Sequence, residues 1–591
     1  MKSLTGAAAL VVLLSASVRI DAVPPGTPAK PRAFLLVTID TWRWDYLGVA
    51  GRTAIRTPNL DRLAKEGAYL PRVHATAPLT APSHASILTG LDPFRHGVRD
   101  NIHFRLDPKV PTLPEVFRKR GFQTAAFVSA TPLRRSIGLD RGFAVYDDRE
   151  LSAAKDESFS NAERRADVTT SRALAWLKTA PPRQPLFLWV HYYDPHQPYR
   201  SGSSASVKGA ASGYAGEIEF VDRELGRLLQ VMGSTYTLAV AATGDHGEGL
   251  GDHGESTHGN ALYETTLSVP LILWPRPEQL AKAPASPASL VDVAPTVADW
   301  MGMGRFPGDG RSLLGAEREK ARFLYGESLS STFSFGVSPA YALRRGGSVA
   351  ILHGATEVFD TDRDAEQKAD LAASGPGLAF AGEARSELAR ILRKYPEELL
   401  RKPTGAAGPE EVQKLRSLGY ISGGAGARSK PWKIVDRRVL LRHLDLLSLA
   451  QDNFTRGKLN EAAVGFEAFL GHYPDSAFAH QQYALTLVRR NDLPGAARQF
   501  AKALELDPDD PVSSLSMGNL AAMKGDLPAA ERFFLASLRA EADQPEALLN
   551  LGEVYLALGK LERARPLITR FLELSPNDTE APRLRAILEK R

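Results

Sequence analysis

The feature that most restricts how this chain can fold is a period of 34 residues in its last quarter. Gly457, Gly525 and Gly559 fall on one grid of that period, with Asn491 at the remaining step. Pro474, Pro508 and Pro576 fall on a second, where Ala542 fills the gap. Ala462, Ala496 and Ala530 mark a third, and Phe466, Phe500 and Phe534 a fourth. Small residues, proline and phenylalanine thus each recur at fixed places in the period. A period of this length marks a repeated structural unit whose apolar face is buried only by stacking on its neighbours. The grids set four units at about 443–476, 477–510, 511–544 and 545–578, followed by a capping helix to Arg591.

This period and these positions resemble the tetratricopeptide repeat (TPR). The resemblance implies an all-α solenoid over 443–591 with a concave face for a protein or peptide partner.

The rest of the 591-residue chain reads differently. Lys2 precedes the apolar run Ala7–Leu14, small residues follow, and Pro24-Pro25-Gly26 ends the pattern. A short basic start and an apolar run too short to span a bilayer predict a secretory signal over 1–22, and so a secreted or periplasmic protein. No other run has transmembrane length. The complete absence of cysteine removes disulfides, zinc–thiolate sites and a thiol nucleophile, and fits an oxidising compartment. A net charge of +5, with basic and acidic residues intermixed, gives no reason to expect a nucleic-acid partner.

From residue 33, Ala33-Phe34-Leu35-Leu36-Val37-Thr38-Ile39 is continuous, apolar and rich in β-branched side chains, as a strand buried on both faces should be. Further buried strands are expected at 123–128, 186–190 and 237–242, with helical patterns between them, one at 57–67. This alternation predicts an α/β domain built on a mostly parallel sheet flanked by helices, over 31–372. Residues 323–372 carry shorter strands and more turn residues, and read as a small α+β subdomain. The Ala-, Gly-, Lys- and Arg-rich stretch 373–440 reads as a helical or loose connector.

Polar residues stand where the expected strands end: Asp40 after the first, Asp194 and His196 after 186–190, Asp245 and His246 after 237–242. Ligands gather at the carboxyl ends of strands in such sheets. In Thr80-Ala81-Pro82-Ser83-His84, proline suits a first helical turn, which sets Thr80 at a helix N-terminus where amides and the dipole favour an anion. Asp40, Asp245 and His246 offer two carboxylates and an imidazole for one divalent cation. Imidazole favours zinc or manganese, with calcium and magnesium as alternatives. A metal beside Thr80 would activate its hydroxyl as a ligand and nucleophile. His84, His196 and His258 would bind a tetrahedral anion or transfer protons.

Taken together, these stretches resemble the sulfatase family of the alkaline-phosphatase-like superfamily. The motifs are Val37-Thr38-Ile39-Asp40, Thr57-Pro58-Asn59-Leu60-Asp61, Thr80 to Gly90, and Arg95 to Asn101. They continue with Asp194-Pro195-His196-Gln197-Pro198-Tyr199, Gly244-Asp245-His246-Gly247-Glu248, His258-Gly259, Val269-Pro270-Leu271-Ile272 and Leu290 to Thr296, in order over 33–372.

The chain departs from that pattern at the positions that carry sulfatase chemistry. The resemblance implies a cysteine or serine, converted to formylglycine, where Thr80 stands; oxidation of threonine at Cβ would yield a ketone. The usual arginine four positions on is His84, the second N-terminal aspartate is Thr41, and the later lysine is His258. Asp40, Thr80, Asp245 and His246 look instead like the single-metal set of threonine-dependent members of the superfamily. A second metal would draw on Asp194 and His258, although Pro198 replaces the histidine expected four residues after the aspartate. The resulting expectation is a hydrolase or transferase of phosphate esters, diesters or phosphonates, acting through Thr80. The alternatives are a sulfatase that works without formylglycine, and a degenerate domain that carries the repeats as a binding scaffold.

Overall fold

The computed structural model describes residues 32–589 apart from 52–54, 150–163, 182–183, 198, 200–209, 281–286, 316–320, 397–432, 541 and 577. The expected signal over 1–22, Pro198 and most of the connector lie outside the described residues. Among the described residues, no helix is long and apolar enough to cross a membrane.

The N-terminal domain is organised on seven strands: β1 Arg32–Ile39, β2 Ala68–His74, β3 Gln123–Phe127, β4 Val145–Asp147, β5 Leu186–Tyr192, β6 Thr237–Gly244 and β7 Ser268–Trp274. Their order across the sheet is β2-β7-β6-β1-β5-β3-β4. β1 runs parallel to β5 and β6 on either side, and β3 runs parallel to β5 and β4. Only the β2–β7 and β7–β6 pairs are antiparallel. The unbroken apolar run of β1 is explained by burial on both faces. Phe34 and Leu36 pack with Phe187 and Trp189 on one side. Ala33, Leu35 and Val37 pack on the other with Leu188, Val190 and residues Ile218, Val221 and Leu225 of the helix Ala210–Thr235.

β2 and β7 carry Pro71 and Pro270, which break the usual strand signal because proline cannot donate to a ladder. β2 tolerates its proline at the sheet edge, where the register with β7 shifts between Leu70 and Val73.

A second, antiparallel sheet forms from β8 Leu324–Ser328, β9 Ala340–Arg345, β10 Ser348–Leu352 and β11 Thr356–Asp360. The stretch expected as a connector opens with the helix Gly375–Lys394, which buries Phe380, Ala381, Ala384 and Ile391 against Tyr325, Leu343 and Val358 of this sheet.

Four helix pairs follow: Arg437–Thr455 with Leu459–His472, Ala477–Arg489 with Leu493–Leu506, Pro511–Met523 with Leu527–Ala540, and Pro545–Ala557 with Leu561–Leu574. The helix Ala581–Glu589 closes the array. The first helix starts at Arg437, six residues ahead of the spacing-based boundary at 443. The grid residues do what their spacing implied. Ala462, Ala496 and Ala530 are fully buried, and so are Phe466, Phe500 and Phe534. Gly457, Gly525 and Gly559 turn between the paired helices at φ 74°, 74° and 69°, and Asn491 takes the same left-handed conformation at φ 62°. Phe500→Ala should cost about 3–5 kcal/mol, read as a lower urea midpoint of the helical signal.

Candidate active site

The parallel register brings the polar strand ends together. Thr38 lies opposite both His191 on β5 and Thr243 on β6, and Ile39 lies opposite Tyr192 and Gly244. Asp40 and Asp245 therefore leave adjacent strands at one level, at the carboxyl edge of the sheet. The helix Thr80–Thr89 points its N-terminus at this edge, and all ten of its residues are buried. Pro82 sits in the first turn, and Gly90 ends the helix at φ 65°. Leu79 occupies the N-cap, so Thr80 is the first residue of the helix and its hydroxyl is not in the capping position. It reaches Asp40 Oδ2 at 3.4 Å.

Asp40, Asp245 and His246 offer three ligand atoms that all lie within 4.8 Å of one another, and all three residues are fully buried. His246 Nδ1 lies 3.0 Å from the Gly247 carbonyl, so that nitrogen carries the proton and Nε2 keeps its lone pair. Nε2 stands 3.6 Å from Asp40 Oδ1 and 3.5 Å from Asp245 Oδ2. Neither His246 Nε2 nor Asp245 Oδ2 has a hydrogen-bond partner. Asp245 Oδ1 accepts from the amides of Thr41 at 3.1 Å and His246 at 2.8 Å, which turns Oδ2 into the site. Thr41 makes its bond from a left-handed backbone, φ 54°, a strained conformation for a β-branched residue. Burial pushes the Asp245 carboxyl up to about 7. Two buried carboxylates converging on an imidazole lone pair fit a divalent cation, which would balance the charge that burial otherwise opposes.

Gly247 follows Asp245 and His246, and a Cβ there would stand 2.0 Å from the Thr265 carbonyl oxygen. Only glycine lets this loop pass that close to the neighbouring backbone.

The three remaining expected histidines are all buried, but in different settings. His84 has both nitrogens engaged: Nδ1 with the Thr80 carbonyl at 2.8 Å and Nε2 with Thr38 Oγ1 at 2.9 Å. Trp189 Nε1 donates to the same hydroxyl at 2.9 Å, so Thr38 donates to His84 Nε2, and Nδ1–H donates to Thr80. His84 therefore fixes the backbone at Thr80 instead of presenting a free nitrogen to an anion. Burial lowers its pKa to about 3 and keeps it neutral.

His258 and His196 form a row beside His246, with ring centroids 4.5 Å apart for His246 and His258 and 5.0 Å apart for His258 and His196. His258 Nδ1 meets Glu248 Oε1 at 3.1 Å. Burial works against a charge on His258, but the Glu248 carboxylate outweighs it and lifts the pKa above the ordinary histidine range. His196 stacks on Tyr193, and burial lowers its pKa to about 3.

Asp194 stands apart. Its Oδ1 accepts from the Ala166 amide at 3.2 Å, at the start of the helix Ala166–Leu177, and burial raises its pKa to about 7. The pairing of Asp194 with His258 expected for a second metal is not among the groups of converging donors. The second such group among the described residues is His84, His191 and Asp245.

Two residues escaped the sequence reading. His191 Nε2 is buried without a hydrogen bond, 3.4 Å from Asp40 Oδ2. Its place opposite Thr38 in a parallel pair was the available signal, but it sits at the end of an otherwise apolar strand. Asn101 accepts from the Ala81 amide at 2.8 Å, beside Thr80, while its buried Nδ2 has no hydrogen-bond partner.

Comparison with known proteins identifies the two domains. Residues 32–303 match the sulfatase family model, and 447–511 and 515–579 match the tetratricopeptide repeat model. The chain is 28% identical over 330 residues to mouse N-acetylgalactosamine-6-sulfatase, covering 46% of this chain and 62% of that protein, less than two thirds of its length. It is 25% identical over 394 residues to the multifunctional alkaline phosphatase superfamily protein PehA of Trinickia caryophylli, covering 47% of this chain and 76% of PehA. Among solved structures, a 2-O GAG sulfatase aligns with a TM-score of 0.50 at 19% identity, over 67% of this chain and 99% of its own. A protein in complex with its substrate D-glucosamine-2-N,6-O-disulfate aligns with a TM-score of 0.51 at 18% identity, over 62% of this chain and 98% of its own. At these identities the structural likeness establishes the fold. This chain therefore carries a sulfatase family domain over residues 32–303, followed by tetratricopeptide repeats over 447–579.

Proposed function

We propose that the N-terminal domain is a metal-dependent hydrolase or transferase of phosphate esters, with diesters or phosphonates as the substrate class, and that Thr80 is its nucleophile. The observation that carries this reading is the Thr80 hydroxyl, 3.4 Å from Asp40 Oδ2 beside the buried Asp40, Asp245 and His246 set. Asp40, Asp245 and His246 would hold one divalent cation, zinc or manganese by the donor set, with Thr80 as the fourth ligand. When bound, the cation supplies Lewis-acid stabilisation of the reacting oxygens and lowers the hydroxyl pKa.

The chain's own residues supply the rest. Thr80 Oγ gives its proton towards Asp40 Oδ2 and bonds to phosphorus while the P–O bond to the leaving alcohol breaks. Water or an acceptor hydroxyl then attacks phosphorus and gives its proton to the His258 imidazole left neutral by the first step, while the P–Oγ bond breaks and Thr80 Oγ recovers its proton from Asp40. A threonine sulfate ester would have no such easy exit, and formylglycine cannot form from threonine. Asn101 Nδ2, buried without a hydrogen-bond partner, would face the anion as a donor. His258, whose charged form Glu248 favours, would stabilise the anion and give the leaving group its proton, with His196 beside it. His84 is a positioning residue, acting through the Thr80 carbonyl. The TPR array would bring the catalytic domain to a protein or peptide partner outside the cytoplasm.

One observation favours sulfate esters as a second reading: several of the relatives are named as sulfatases. Parallel turnover of aryl sulfate, phosphate monoester and phosphate diester separates the two. The phosphate reading predicts the diester as the best substrate. A sulfate preference that survives Thr80→Ser but vanishes in Thr80→Ala contradicts it.

The pair His258–Glu248 gives a pH prediction. Removing the carboxylate removes the group that favours the charged imidazole, so the His258 pKa falls. Glu248→Gln should therefore move the alkaline limb of the kcat/KM profile to lower pH, checked with a chromogenic diester.

A further inference from the structure

The helix Ser330–Phe335 touches the active-site loop at one end and the repeats at the other. At its start, Ser331 Oγ donates to Asn260 Oδ1, and just before it Ser328 Oγ donates to the Gly259 carbonyl at 2.6 Å. Gly259 and Asn260 directly follow His258. The same loop is tied from within by Glu255, whose carboxylate accepts from the amides of Asn260 at 2.8 Å and Ala261 at 3.1 Å.

At the other end, Phe335 lies in the core of the first repeat with Leu440, Phe466, Phe469 and Tyr473, its ring 5.4 Å from that of Phe469. Backbone bonds from Ser338 N to Lys433 O at 2.8 Å and from Lys433 N to Gly336 O at 2.9 Å continue the junction. A junction of this kind fixes one domain on the other, whereas a tether would leave them independent.

Arg437, the first residue of the first repeat helix, completes it. Its guanidinium is buried and donates through one nitrogen to the Ser338 carbonyl at 2.7 Å, while Nε and the second terminal nitrogen have no hydrogen-bond partner. Among the described residues no carboxylate lies within ion-pairing distance of it, but its helix packs on the turn Asp252–Gly254, directly before Glu255, whose negative charge favours the charged guanidinium. A buried guanidinium without a paired anion is costly unless a nearby opposite charge stabilises it.

We infer that the first repeat is a working part of the active site: Arg437, acting on Glu255, and Phe335, acting through the helix Ser330–Phe335, hold the loop that carries His258. Arg437 is thus a positioning residue supplied by the repeat array. The catalytic half of this inference rests on His258 facing the substrate, as proposed above; the structural half does not.

The test uses the full chain. In Arg437→Gln, amide exchange over 255–261 should accelerate about tenfold while the strand Thr237–Gly244 is unchanged, and kcat on the diester should fall about tenfold with KM altered less than about twofold. Arg437→Lys, which keeps the charge, should restore most of both. Ser331→Ala, which leaves the repeats untouched, should loosen 255–261 in the same way. If 255–261 is unmoved in Arg437→Gln, the inference is overturned even where Ser331→Ala loosens that loop, and Arg437 only supports its own helix. A wild-type chain that turns over none of the esters would sink the functional reading, yet the exchange measurement would still decide this one.

Discussion

Thr80→Ala is expected to lower kcat by about ten-thousand-fold or more while leaving the fold intact. The hydroxyl is the only group at this position able to bond to phosphorus, so its removal ends covalent chemistry. Stability should change little, because Leu79, not Thr80, occupies the N-cap position of the helix. Metal content should persist, since Asp40, Asp245 and His246 remain. Thr80→Ser keeps the hydroxyl at the cost of a methyl group and should retain activity. Steady-state kinetics beside thermal melts and elemental analysis check all three points. An active Thr80→Ala enzyme would require another nucleophile.

The second large effect is expected in Asp245→Asn, which should lose both bound metal and turnover. The two amides from Thr41 and His246 demand an acceptor at Oδ1. In asparagine the carbonyl oxygen takes that place, and the NH2 group falls where Oδ2 faced His246 Nε2. The oxygen proposed as a ligand becomes a donor pointing at the proposed cation site, in a nearly unchanged shape. Metal content should drop from about one equivalent per chain towards zero, read by elemental analysis, and added zinc or manganese should not restore activity. Full metal retention would remove Asp245 from the ligand set.

Much of this was legible in the sequence, for reasons that differ by element. β1, β5 and β6 announce themselves because burial on both faces leaves no polar alternation, and the polar residues that end them then stand out. The repeats are legible because one packing contact recurs at a fixed interval, and Phe466, Phe500 and Phe534 each fill the same kind of gap. What stayed hidden depends on tertiary contacts. β2 and β7 are interrupted by Pro71 and Pro270, so only pairing identifies them. His191 hides inside a strand, and register alone brings it to Asp40. His84 was expected to face an anion, but the Thr38–Trp189 network that occupies its second nitrogen has no local sequence signal. The helix Gly375–Lys394 lies in an Ala- and Gly-rich stretch whose sparse apolar stripe becomes meaningful only against the antiparallel sheet.

Whether Thr80 itself carries the reacting group is most directly tested by trapping. The full chain would be incubated with a slowly turned-over phosphodiester, quenched in acid, digested and mapped by mass spectrometry. The result expected is a phosphoryl adduct on the Thr80 hydroxyl, absent from Thr80→Ala. An adduct on any other residue, or turnover without any adduct on Thr80, would contradict the mechanism.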